Sequence, residues 1–263
     1  MDGSDLQPLK SVVYLAVLRE QNSRILREFA ASYQSLRKFH PDVPVIVYHH
    51  NLLAAELDSL DRFENLRCIP IAVDGPERLS ERRYLELEGW NFPELLTRSA
   101  KIDALLLTPG DTLFLDTDTE VLAPLTDCFN SDEPWMHLSE GRFADHERNL
   151  RGSLSEVPWQ ALGWQGDAER MQVYDAGSIY VPQAYKMHLY RAKELLWRMA
   201  TSPAGDRGDN PFDEQMAISI ALQEATNYEL SVIAPRVYHY WEEKYDKVGD
   251  WYGRVHGLDV GTP

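Results

Sequence analysis

Cysteine, long apolar runs and basic residues are all scarce in this sequence. Only Cys68 and Cys128 occur among the 263 residues, which excludes a disulfide framework and a cysteine-based metal site. No apolar run approaches the roughly 20 residues that a membrane-spanning helix needs. The acidic start of the chain also has no apolar segment of the kind found in signal peptides. We therefore expect a cytoplasmic protein with no transmembrane segment.

The charge of the chain is strongly negative. Its 42 acidic and 26 basic residues give a formal net charge of −16. Such a surface repels nucleic acid and anionic lipid, so no nucleic-acid partner is expected. A ligand that carries phosphate groups would need a cation close to its binding site. With 44% hydrophobic residues, the chain can bury a sizeable core.

The first half of the chain alternates short apolar runs with segments of helical spacing. Strands are predicted over 11–18, 45–48, 66–73 and 112–115, and helices over 25–36, 52–60 and 93–107. This order predicts parallel strands joined by right-handed crossovers, and hence a Rossmann-like α/β fold. Further on, strands are predicted over 178–181 and 230–234 and helices over 185–199 and 214–223, while 140–170 is polar and irregular and predicts a surface excursion.

Two carboxylates directly follow the apolar strand in the middle of the chain. Asp116 and Asp118 are separated by Thr117 and come after the run Leu113-Phe114-Leu115. Ligands of α/β sheets bind beyond the carboxyl ends of strands, so both carboxylates are expected in that crevice. Their oxygens suit Mn²⁺ or Mg²⁺, which can bridge a diphosphate. A plain turn with capping aspartates explains the same three residues, and spacing alone leaves both interpretations open.

The segment Asp116-Thr117-Asp118 resembles the metal-binding motif of GT-A glycosyltransferases, and other segments resemble glycogenin-like members (glycosyltransferase family 8) in the same order. Ser99-Ala-Lys101 resembles their Ser-Lys helix, whose basic residue faces the donor about fifteen positions before the first aspartate. The resemblance implies a single GT-A domain over 1–263, with a nucleotide-binding half over about 1–125 and an acceptor half over about 126–263. It also implies a mostly parallel mixed sheet flanked by helices.

The resemblance continues on both sides of the metal motif. Tyr174-Asp175-Ala176-Gly177 resembles a turn that borders the sugar, and Asp213-Glu214-Gln215 resembles a helix start at the sugar. The strand end Leu15-Ala16-Val17 would meet the nucleotide base, with Lys101, Asp116, Thr117, Asp118, Ala176 and Gly177 also contacting the donor. The implied catalytic set is Asp213, Glu214, Gln215 and Asp175.

Several positions depart from the family pattern. Asp175 stands where the family has asparagine, which removes an amide donor near the sugar. The acid of the Asp-Gln pair is either Asp213, with one residue inserted, or Glu214. The Lys-Pro-Trp that normally follows the family's histidine is absent, so Lys244 or Lys247 is the substitute that the sequence offers for the diphosphate.

The third metal ligand has two candidates. His256 stands in Arg254-Val255-His256-Gly257, which resembles the family segment that contains the ligand histidine, and is favoured. His239 is the alternative, although a histidine between two tyrosines also suits a core position. A neutral imidazole beside two carboxylates is a sound donor set for Mn²⁺.

The expected function is metal-dependent transfer of a sugar from a nucleotide-sugar, with UDP as the nucleotide and retention of configuration implied by the resemblance. The acceptor is a carbohydrate, glycoconjugate or protein that the sequence does not specify. A phosphatase of the haloacid-dehalogenase type is one alternative, although its Asp-x-Asp motif normally opens the chain. A GT-A-like binding protein without catalytic activity is the other.

Overall fold

The computed structural model describes residues 10–17, 23–72, 92–142, 166–167, 170–201, 213–233 and 236–239. Within these ranges the main feature is a seven-stranded mixed sheet with the order β3-β2-β1-β4-β7-β6-β8. Its strands are β1 (Lys10–Val17), β2 (Val45–His50), β3 (Leu66–Pro70), β4 (Asp111–Leu115), β6 (Trp135–Arg142), β7 (Gln172–Val181) and β8 (Ser231–Val232). A separate two-stranded sheet pairs β5 (Thr119–Val121) with β9 (Val237–His239).

The first four strands of the sheet order run parallel, as the alternating sequence pattern predicts. β1 pairs in parallel with β2 and β4, and β2 pairs in parallel with β3. β7 then runs antiparallel to both β4 and β6. β4 therefore lies at the change of direction. Near its carboxyl end, Phe114 pairs with Val13 in the middle of β1 on one side, and Leu115 pairs with Ser178 of β7 on the other.

Six α-helices and one 3-10 helix occur in the described ranges. They are α1 (Ser23–Phe39), α2 (Ala54–Leu60), α3 (Phe92–Leu107), α4 (Thr126–Phe129), the 3-10 helix (Gln183–His188), α5 (Leu189–Thr201) and α6 (Asp213–Ala225). Within the described part of the chain, every helix falls short of the length and apolarity that a bilayer crossing requires.

The alternation of side chains along the strands divides the core between the two faces of the sheet. Val13 and Phe114 belong to a cluster with buried residues of α3, α5 and α6. Tyr14 and Leu113 point the other way, into a cluster with α1 that includes Phe29. Burying each large apolar side chain contributes about 1.5–3 kcal/mol relative to exposure, so both faces hold the central strands firmly in register.

The predicted mixed, mostly parallel sheet with flanking helices is confirmed, with differences at the element ends. The predicted strand over 66–73 ends at Pro70, and the strand predicted over 230–234 is only Ser231–Val232. The helix predicted over 185–199 begins as a 3-10 turn before α5. β7 begins at Gln172, six residues before the predicted strand, and its added residues pair with β6, which was not predicted.

Candidate active site

The candidate site begins where β4 stops and the chain turns. Asp116, Thr117 and Asp118 are all partly buried. The turn is closed by two bonds from Thr119 to the carbonyl oxygen of Asp116, 3.3 Å from the backbone nitrogen and 2.7 Å from Oγ1. On the other side, the Asp116 N–H donates to the Gly177 carbonyl at 2.8 Å. The backbone of Asp116 is therefore held at both its N–H and its carbonyl oxygen.

Lys101 supplies the cation closest to this turn. It lies in α3, and its Nζ is 3.1 Å from each oxygen of the Asp116 carboxylate and 3.5 Å from Oε1 of Glu214. Nζ also donates to the Ala176 carbonyl at 3.3 Å and lies 5.2 Å from the centre of the Phe114 ring. Burial disfavours its charged form, but Asp116 and Glu214 outweigh that effect and raise the pKa of Lys101. It therefore stays an ammonium ion.

Glu214 joins the site from the first turn of α6. One of its oxygens faces Lys101, and the other lies 3.4 Å from a guanidinium nitrogen of Arg98. Arg98 precedes Lys101 by three residues, so both cations come from neighbouring turns of the same helix face. The side chains of Arg98, Lys101 and Glu214 are only 10%, 11% and 13% exposed. Two buried cations thus enclose this carboxylate.

The backbone of β7 completes the described site. Asp175 is buried, and its carboxylate accepts the N–H of Gly177. Gln215 accepts the N–H of Ala176 through its side-chain oxygen at 3.3 Å. Gly177 is itself buried, and its carbonyl oxygen accepts the Asp116 N–H. The site therefore joins α3, β4, β7 and the start of α6.

Several solved structures share this arrangement of elements. The galactosyltransferase LgtC, in complex with donor and acceptor sugar analogues, is similar with a TM-score of 0.59 and 13% identity over 96% of this chain and 97% of its own. Core-mannan synthase A of Aspergillus fumigatus, in a Mn/GDP form, gives a TM-score of 0.53 and 9% identity over 87% and 74%. Mouse xyloside xylosyltransferase 1 gives 0.51 and 10% over 85% of each chain. No protein-family model and no curated protein sequence matches the chain.

The chain has the GT-A fold. At these identities the likeness is one of fold, and it agrees with the expectation from the sequence. The GT-A fold also leaves the phosphatase alternative without structural support.

Most of the predicted site residues meet in this GT-A structure. Lys101, Asp116, Asp175, Ala176, Gly177, Glu214 and Gln215 form the contacts described above. Leu15, Ala16 and Val17 end β1 at the same edge of the sheet, because β1 and β4 are parallel. Asp213 begins α6, but its side chain lies outside the described part of the structure. Of the two candidate acids, Glu214 is thus the one with a described contact to Lys101.

The candidate histidines are only partly covered by the structure. His256 lies outside the described residues, as do Lys244 and Lys247. The backbone of His239 pairs with Thr119 across the β5–β9 ladder, next to Asp118 in the chain. The side chain of His239 is outside the description as well.

The chemistry of the two carboxylates fits a divalent cation. Mg²⁺ and Mn²⁺ accept one or two protein carboxylates and keep their other positions for water and substrate phosphate. Asp116 and Asp118 supply such a pair at the carboxyl end of β4. Among the described residues, no group of three or more histidine, cysteine, aspartate or glutamate side chains is arranged to hold a metal ion.

The sequence analysis did not single out Arg98 or the hydroxyl of Thr119. Arg98 could have been found from its spacing, because a basic residue three positions before Lys101 lies on the same helix face. The contact of Thr119 with the Asp116 carbonyl is typical of a hydroxyl residue that closes a short turn.

Proposed function

We propose that the chain is a glycosyltransferase that moves a sugar from a nucleotide-sugar, with a UDP-sugar as the expected donor, to a carbohydrate, glycoconjugate or protein acceptor. The observation that carries the proposal is the buried Lys101 ammonium, 3.1 Å from both Asp116 oxygens and 3.5 Å from Glu214, at the carboxyl end of β4. In a GT-A fold this is the crevice where the donor would lie.

Sugar transfer breaks the bond between the anomeric carbon and the diphosphate oxygen, so negative charge grows on the leaving group. Lys101 is a charged donor at neutral pH, because its pKa is raised, and it lies in a buried setting, where electrostatic stabilisation is stronger than in water. Mn²⁺ or Mg²⁺, when bound, would neutralise part of the diphosphate charge. Asp116 and Asp118 would hold the ion, with His256 or His239 as the third protein ligand.

The carboxylates near the sugar are assigned to orienting and stabilising roles. Glu214 would face the anomeric centre as positive charge develops there, with Asp213 as the alternative acid. Asp175 and Gln215 support the Ala176–Gly177 backbone through their hydrogen bonds, which would keep this strand segment in place beside the sugar. Retention of configuration is part of the proposal, and product analysis by proton NMR of the anomeric signal would test it.

A thermal-shift screen of nucleotide-sugars, each with and without Mn²⁺, tests the function. We expect one donor to raise the unfolding temperature only when Mn²⁺ is present, because a ligand that binds the native state stabilises it by mass action. Turnover of that donor would then be followed by release of the nucleoside diphosphate. A binding protein without catalytic activity would show the shift without turnover, and the absence of any donor-dependent shift would refute the proposal.

A pair of aspartate variants makes the test specific. Asp118→Asn keeps the size of the side chain and removes its charge, so the Mn²⁺-dependent shift should disappear. Asp58→Asn is the matched control, because Asp58 is exposed on α2, and its shift should equal that of the wild type. Equal shifts in both variants would show that Asp118 does not hold the metal.

A further inference from the structure

Behind the Asp116–Asp118 turn, three hydroxyl groups from separate elements form a buried chain. The Tyr14 hydroxyl of β1 lies 3.1 Å from Ser32 Oγ of α1, and Ser32 Oγ lies 3.0 Å from Thr119 Oγ1 of β5. Thr119 Oγ1 in turn is 2.7 Å from the Asp116 carbonyl oxygen. Tyr14, Ser32 and Thr119 are all 0% exposed. The chain therefore ends on the backbone of the first carboxylate residue.

The direction of each hydrogen bond follows from counting protons. A carbonyl oxygen only accepts, so Thr119 must donate its single hydroxyl proton to Asp116. Ser32 must then donate to Thr119, and Tyr14 must donate to Ser32. Burial raises the pKa of Tyr14, so its hydroxyl keeps the proton that this order requires. In this hydrogen-bonded series each hydroxyl therefore donates toward the Asp116–Asp118 turn, starting from Tyr14 in the sheet core.

A second serine of α1 holds the next residues of β5. Ser35 Oγ accepts the Val121 N–H at 2.9 Å and donates to the Ser32 carbonyl at 2.7 Å. The other edge of β5 pairs with β9. The strand that follows the carboxylate turn is therefore fixed by α1 on one side and by β9 on the other.

We propose that Thr119, supported by Ser32, is a positioning residue that sets the geometry of the Asp116–Asp118 carboxylates for a cation bound together with a nucleoside diphosphate. This inference rests on the proposed function. Mg²⁺ requires nearly ideal octahedral geometry, so its carboxylate ligands must be held closely by the backbone behind them. Groups that orient metal ligands typically change metal affinity by about 10- to 100-fold when they are removed.

A graded series of variants tests the proposal. Thr119→Val keeps the shape and the backbone N–H bond but removes the hydroxyl bond to the Asp116 carbonyl, so affinity for Mn²⁺ with UDP should fall by about tenfold or more. Thr119→Ser keeps the hydroxyl and should stay within about threefold of the wild type. Tyr14→Phe removes only the distant first link, so it should lower stability while leaving affinity within about twofold. Ser32→Ala should lie between the valine and phenylalanine variants.

Calorimetric titration of Mn²⁺ in the presence of UDP, and separately of GDP, measures these affinities, with urea unfolding of each variant alongside. Equal losses of Mn²⁺ affinity in T119V and Y14F would overturn the positioning role. Losses of affinity that simply parallel the losses of unfolding free energy would do the same. Wild-type affinity in T119V would do the same while leaving the glycosyltransferase proposal intact. If the wild type binds neither diphosphate with Mn²⁺, the proposed function fails, and the positioning inference fails with it. Should T119V not unfold cooperatively, the order of S32A, T119S and Y14F decides the question.

Discussion

Replacing Lys101 by methionine tests the electrostatic core of the site. Methionine keeps most of the apolar length and removes the ammonium that faces Asp116 at 3.1 Å and Glu214 at 3.5 Å. The side chains of these two acids are only 24% and 13% exposed. The variant would therefore leave two largely buried carboxylates without their shared cation.

The magnitude follows from the cost of breaking a buried ion pair, which is about 3–5 kcal/mol when one partner is removed. Glu214 keeps Arg98 at 3.4 Å, and Asp116 is partly hydrated, so we expect the lower end, about 3 kcal/mol. Because Asp116 and Glu214 raise the pKa of Lys101 above its ordinary value of 10.5, this contribution is fully present at pH 7. It is lost only when the pH rises through the folded-state pKa.

Urea unfolding at pH 7 measures the effect, with Lys193→Met as the control. Lys193 pairs with Asp103 at 2.6 Å, but these side chains are 34% and 25% exposed, so its loss should cost about 0–1 kcal/mol. A K101M loss no larger than that of K193M would refute the reasoning.

Three further predictions use other buried groups. Burial lowers the pKa of His40, whose Nε2 accepts the Leu125 N–H at 2.8 Å. Only the unfolded chain then gains a proton as the pH falls below about 6.5, so unfolding free energy should fall between pH 7 and 5, and less so in H40Q. Burial lowers the pKa of Lys186 to about 8, so the free energy of unfolding should rise with pH between about 8 and 10.5. The same slope in K186M would show that Lys186 is not the cause. Native-state labelling should modify Cys68 before Cys128, because Cys128 is fully buried whereas Cys68 is only partly buried; equal rates would contradict this.

The parallel half of the sheet could be predicted because local pattern and tertiary environment agree there. β1 and β4 are buried on both faces, so most of each strand is a continuous apolar run, Val12–Val17 and Leu113–Leu115. β6 escaped prediction because its register with β7 shifts twice, between Met136 and His137 and between Leu138 and Gly141. Such bulges break the period of two on which strand prediction depends.

β5 and β9 were missed for a different reason. Each has only three residues, and they pair across more than a hundred positions of the chain. Their stability comes from that distant partner and from the serines of α1, which no local window of sequence contains.

The contacts of the candidate site also fall into two groups: those expected from the sequence and those that depend on tertiary packing. The resemblance of Ser99-Ala-Lys101 to the family's Ser-Lys helix implied that Lys101 faces the donor near Asp116, and the structure has the two side chains in contact. The contact of Arg98 with Glu214 depends on how α3 and α6 pack, and the chain from Tyr14 to Thr119 depends on how α1 lies on the sheet. The sequence shows which residue types are present, whereas the packing of the helices on the sheet determines which side chains are in contact.

The charge of the site connects these details to the acidic composition. Asp116, Asp175 and Glu214 outnumber Arg98 and Lys101 within the cluster, before Asp118 is counted. A diphosphate that approached such a group unaided would meet net repulsion from the cluster and from a chain of net charge −16. The Lys101 ammonium offsets only part of that repulsion, because it also faces Asp116 and Glu214. Binding of an anionic donor in this crevice would therefore require a cation that arrives with the ligand, and the Asp116–Asp118 turn is where the chain offers oxygens to hold it.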